Sequence, residues 1–110
     1  MSITAAANTL VLSAAITASL DNIDVLALEN AGGEYLRKAP ESITKVTTQK
    51  YQYEFYFTEA EGNDTIVGVE LNGNGATTTL DDGTAMANQA LSLTKTNTQS
   101  LTIIWTVELV

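Results

Sequence analysis

The chain has 110 residues and a formal charge of -8, from thirteen acids against five bases. That length holds one core of ordinary size, so residues 1–110 read as a single domain, and the acidic balance disfavours nucleic acid, whose binding needs cations that displace condensed counterions. Cysteine and histidine are both absent, which excludes disulfides, zinc–thiolate sites and every nucleophile that depends on an imidazole base.

Hydrophobic residues make up 45% of the chain and charged ones 16%, enough apolar surface for a buried core. No Lys or Arg precedes Arg37, so the basic region of a secretory leader is missing. Thr4, Asn8, Thr9, Ser13 and Thr17 interrupt the apolar N-terminal stretch, which argues against a membrane span. The expectation is a protein soluble in the cytoplasm where it is made.

Residues 3–20 admit two readings. Ile3, Ala7, Leu10, Ala14 and Ala18 recur at helical spacing, with Val11 and Ala15 beside them. Leu10, Leu12 and Ala14 also alternate as in a strand, and the Thr and Ser content weakens helix propensity. The helix is preferred, giving a helical or arm-like segment at 1–20 before a β-rich body at 23–110. Residues 23–28 are nearly all apolar, as in a strand buried on both faces.

Ala31, Gly32 and Gly33 are turn chemistry. Residues 34–39 lead to Pro40, the single proline, and 43–48 form a strand of mixed polarity. The clearest strand is 51–58, with Tyr51, Tyr53, Phe55 and Phe57 on one face and Gln52, Glu54, Tyr56 and Thr58 on the other. After a turn at 61–64, residues 65–71 form the next strand, with Val67, Val69 and Leu71 on one face. A hairpin joining these two strands is the economical connection. Residues 72–83 are a polar, glycine-rich surface loop, mobile or ordered by a neighbour. A strand at 84–93, a polar turn at 94–100 and a strand at 101–110 close the chain, the last with Leu101, Ile103, Trp105, Val107 and Leu109 on one face.

The expected fold is therefore mostly β, with α+β as the variant: an antiparallel β-sandwich of five to seven strands with one N-terminal helix.

Candidate chemistry is sparse. Glu59, Glu61 and Asp64 offer oxygen ligands, but without calcium-loop spacing and within a turn. Asp81, Asp82 and Gly83 read as a β-turn. Gly73, Asn74 and Gly75 resemble the start of a phosphate loop that lacks its third glycine and its following helix. The aromatic row at 51–57 could stack sugars, but its strict alternation favours core packing. Trp105 has the same core reading. No cofactor, metal or catalytic residue is expected, and the chain reads as non-enzymatic.

The stretch NDTIVGVELNGNGATTTLDDGTAMANQALSLTKTNTQSLTIIWTVEL at residues 63–109 resembles the C-terminal part of a family of small tailed-bacteriophage virion proteins of the tail-fibre-like or tail-collar-like kind. The family pattern is a strand ending in a glycine corner, a Gly/Thr loop, a strand of small apolar residues, a KTN turn and a last Thr-rich strand with Trp. Here these fall at 69–73, 75–83, 84–93, Lys95-Thr96-Asn97 and 101–109. Residues 23–29 and the E-x-x-R-K element at 34–38 match the family's earlier parts. The chain departs at 29–33, where the family has a Gly/Thr turn, and lacks the usual aromatic near Asn72.

The resemblance implies a structural protein of the virion, made in the host bacterial cytoplasm and partnered by tail, baseplate or capsid subunits. A tail-fibre or collar-type attachment module, homo-oligomeric and of trimeric type, is the leading reading. A capsid decoration (cement) protein is the alternative, favoured by the absence of any shaft after Val110; a carbohydrate-binding module stands third. Expected docking contacts are Asn72, Asn74, Thr77, Thr78, Thr79, Asp81 and Asp82, together with segment 2–18. No nucleic acid or membrane is expected among the partners.

Overall fold

The computed structural model describes residues 6–16 and 20–109. Its elements are β1 (Ala6–Ile16), a 3-10 turn (Leu20–Asn22), β2 (Ile23–Asn30), β3 (Gly33–Lys38), β4 (Ser42–Thr47), β5 (Lys50–Phe57), β6 (Asp64–Gly73), β7 (Thr84–Lys95) and β8 (Gln99–Leu109). They form two four-stranded sheets, β1-β8-β5-β4 and β3-β2-β6-β7, packed as a sandwich. Among the described residues every pairing is antiparallel except β1 with β8, which is parallel.

The strict alternation of β5 and β8 makes the core. Tyr53, Phe55, Phe57, Leu101, Ile103, Trp105 and Val107 are each 0–1% exposed, and Tyr51 is 8% exposed. Leu26, Leu28, Ile66, Val69 and Leu71 face them from the other sheet. Strand β2 is buried along Val25, Leu26, Ala27 and Leu28, as its continuous apolar run requires of a strand covered on both faces.

Four expectations need correction. The N-terminal helix is absent from the described residues: 6–16 is a strand, while the parts of that segment at 3–5 and 17–19 lie outside them. Leu10, Leu12 and Ala14 pack against the core while Val11, Ser13 and Ala15 are exposed, so the two-residue period wins. The reason is tertiary, because β8 offers a full parallel ladder from Ala6–Gln99 to Ile16–Leu109. Small residues such as Ala and Ser fit either period, so the local pattern could not decide.

Among the described residues the strand count is eight, above the expected five to seven. The hairpin expected between β5 and β6 does not form either. Strand β5 pairs with β4 and β8, β6 pairs with β2 and β7, and residues 58–63 cross from sheet to sheet. Both strands present large apolar faces, and placing them in opposite layers lets those faces cover each other. Finally, Val67 is 42% exposed and Ile66 is fully buried, because a bulge between Ile66 and Gly68 shifts the inward face by one residue.

Candidate docking surface

Strand β6 runs on through Asn72 and Gly73, both buried, so the polar loop begins only at Asn74. Asn74 and Gly75 have φ of 55° and 85°, two successive left-handed residues that turn the chain back over the sheet. Gly75 N donates to Asp24 Oδ2 at 2.9 Å. Gly83 closes the loop at φ 72°, where a Cβ would sit 2.4 Å from that of Ala76. The loop is thus a closed Ω-shaped unit with its ends in contact.

What fastens it is Arg37, whose side chain is wholly buried. Its Nε donates to Glu34 Oε1 at 2.7 Å and its Nη2 to Glu34 Oε2 at 3.3 Å. Nη1 donates to Asp82 Oδ1 at 2.6 Å and to the Thr77 carbonyl at 3.0 Å, and Nη2 donates to the Asp82 carbonyl at 2.9 Å. Residues three apart on a regular strand face opposite sides. Here Leu28 pairs with Leu36 and Glu29 with Glu34, so Tyr35 is an extra, bulged residue that brings Glu34 to the side of Arg37.

Two further cations do related work on the 58–63 crossing. Lys38, next along the alternation, pairs with Glu61 Oε1 at 2.5 Å and lies 5.6 Å from the centre of the Phe57 ring. Lys95 Nζ donates to the Thr58 carbonyl at 2.8 Å and to Asn63 Oδ1 at 2.7 Å. Three of the chain's five bases therefore each tie a long loop to the sheets.

The electrostatics follow from these contacts. The Arg37 hydrogen bond is the largest influence holding the Glu34 carboxyl below its ordinary range. The Thr77 hydroxyl and amide hold Asp82 down, and Glu34 beside Asp81 pushes Asp81 up. Lys38 lowers Glu61.

Of the residues expected to dock, Asn74, Thr77, Thr78, Thr79 and Asp81 are exposed on this loop. Asp82 is half-buried and engaged by Arg37 and Thr77, while Asn72 is 2% exposed and belongs to the strand. Leu80 adds an apolar tip, 40% exposed. Glu59, Glu61 and Asp64 do not converge: Glu61 is held by Lys38 and Thr58, and Asp64 by Asn30. Among the described residues no group of three acids is placed to hold a metal ion. The aromatic row 51–57 lies in the core, so it offers no stacking platform.

Two surfaces escaped the sequence reading. One is the outer face of the first sheet, where register aligns Val11, Ile104, Glu54 and Ser42 in one row and Ser13, Thr106, Gln52 and Thr44 in the next. Tyr56 completes it beside Thr102. The other is β4, exposed at all six positions. Its sequence signal was available: residues 42–53 contain two lysines and no acid.

Compared with protein-family models, curated proteins and solved structures, the chain matches none.

Proposed function

We propose that the chain is a non-catalytic structural protein of a tailed-phage virion, an attachment module of the tail-fibre or collar type present in repeated copies. The observation that carries this reading is the stapling of the Asn74–Gly83 loop by the buried Arg37. A loop that must close over a substrate is drawn from weakly held structure, whereas this one is a fixed relief. It presents Asn74, Thr78, Thr79 and Leu80 on a rigid base. Fixed loops and flat sheet faces suit docking among neighbours, where many copies turn weak contacts into stable attachment. The resemblance at 63–109 and at 34–38 points the same way: Glu34, Arg37 and Lys38, which carry the E-x-x-R-K match, are the residues that fasten the loops.

The test is a copy-number count in purified virions, by quantitative mass spectrometry against the major capsid protein. A few to a few tens of copies supports the tail module. A ratio near one per capsid subunit replaces it with the decoration reading. Finding no copies overturns both.

A further inference from the structure

We propose that the β4–β5 hairpin docks one copy of the chain onto another, Lys45 of one copy seated against the Glu29–Glu70 depression on the outer face of the next copy's second sheet. The inference deepens the structural reading above and rests on it for the expectation of repeated copies.

The hairpin is net positive, since Lys45 and Lys50 outweigh Glu54. Residues 42–53 hold two of the five bases and no acid, so all thirteen acids and only three bases lie elsewhere. In the fold β4 is the edge strand of its sheet and is exposed at all six positions, while Tyr51 and Tyr53 of β5 reach into the core. Ile43 and Val46 are 49% and 53% exposed, apolar surface that ordinarily needs no explanation singly but here lies on one short strand beside a cation. The Lys45 ammonium sits 5.3 Å from the centre of the Tyr51 ring, beside a hollow of about 300 Å³ formed with Thr47 and Thr48. Addition of a strand to this edge is disfavoured, because a lysine and a bulge between Lys45 and Thr47 both blunt it. Contact through side chains remains.

The counter-surface is a depression of about 220 Å³ on β2, β6 and β7, where Glu29 and Glu70 lie side by side. Gly68 makes room for it: a Cβ there would come within 2.8 Å of Glu29 Oε1. Val67, 42% exposed, gives the rim an apolar contact for Ile43 and Val46. Among the described residues neither acid has a salt bridge, and Arg37 is engaged by Glu34, Asp82 and Thr77. Burial and then the Glu29 charge push Glu70 above its ordinary range, the condition that an ammonium group relieves.

The competing local charges are weak. Asp21 lies 3.9 Å from Lys45 with both side chains about two-thirds exposed, and exposed pairs of this kind are readily exchanged. The two surfaces differ, so the contact is head-to-tail and closes into a ring or continues as an array.

The test is sedimentation velocity of the full chain over a concentration series, at low salt and at about 0.5 M NaCl, where exposed charges are screened. Concentration-dependent oligomers that dissociate in salt are expected. Lys45→Glu and Glu70→Lys should each weaken association by about tenfold or more, and the double swap on one chain should restore it. Glu70→Gln, which keeps the shape, should weaken it without disturbing the circular dichroism spectrum. A monomer at every concentration overturns the proposal, as does an oligomer indifferent to salt and to Lys45→Glu, or a double swap no stronger than the singles. A monomeric chain found in many copies on virions sinks this contact and leaves the structural role standing; an assembling chain absent from virions does the reverse.

Discussion

Replacing Arg37 by Met removes a guanidinium whose three nitrogens make five hydrogen bonds, while the apolar stem is kept. The loss comes chiefly from Glu34, whose side chain is 7% exposed and would be left as an uncompensated charge. Removing one partner of a buried pair costs about 3–5 kcal/mol. Asp82 lies on the water side and is rehydrated once released. The expected destabilisation is therefore at the lower end of that range, about 3 kcal/mol. Urea unfolding followed by Trp105 fluorescence measures it, and hydrogen exchange reports the loop through the amides of Gly75, Thr77 and Asp81. Both the global loss and the loss of loop protection are expected. The double variant Arg37→Met/Glu34→Met should be more stable than Arg37→Met alone, since it leaves no buried charge behind. A loss below about 1 kcal/mol with the loop still protected would refute the claim that Arg37 fastens it.

Other consequences can be checked with the same protein. Glu34 and Glu61 are held below the ordinary 4.5 by Arg37 and Lys38 respectively, so below that value the unfolded chain binds more protons than the folded one. Stability should be full above about pH 4.5 and fall as pH drops through the lower folded values; urea midpoints against pH should show a shallower acid limb in Lys38→Met. Glu70 acts in the opposite sense, its raised value meaning that acid relieves a penalty. Gly73→Ala should be severe, because its Cβ would lie 1.8 Å from the Asn22 carbonyl oxygen. A loss at or above the upper end of the usual 1–3 kcal/mol for overpacking is expected in thermal or urea melts, and a loss under about 1 kcal/mol would count against the close approach. Tyr35 and Tyr53 are each raised to about 12 by burial, so ultraviolet titration should find them un-ionised well above pH 10.0, with Tyr53→Phe removing part of the late step. Ionisation of Tyr53 near 10.0 would contradict its burial and its bond to the Leu20 carbonyl.

Part of this architecture is written locally. The alternation at 51–57 and 101–107 requires two strands with one buried face each, because four aligned aromatics and a Trp-bearing apolar row cannot remain in water. The run at 23–28 requires a central strand, and the glycines at 32–33 and 75 mark reversals that their positive φ at Gly33 and Gly75 bears out. The acid-free stretch at 42–53 was equally visible, though nothing local marked it as a surface.

What tertiary structure decided is where pairing partners lie. Residues 6–16 satisfy both a helical and a strand period, and the choice falls to β8, whose parallel ladder no neighbouring residue could announce. The partition of β5 and β6 between sheets depends on which apolar faces meet, which is a property of the whole core. Bulges at Tyr35 and around Val67 change which side chains share a face, so a two-residue period read straight along the strand misplaces Glu34 and Val67. Arg37 looks in sequence like one of a pair of adjacent surface cations. It becomes the anchor of a loop forty residues away only because the fold lays that loop across β3 and leaves the guanidinium no water to bind.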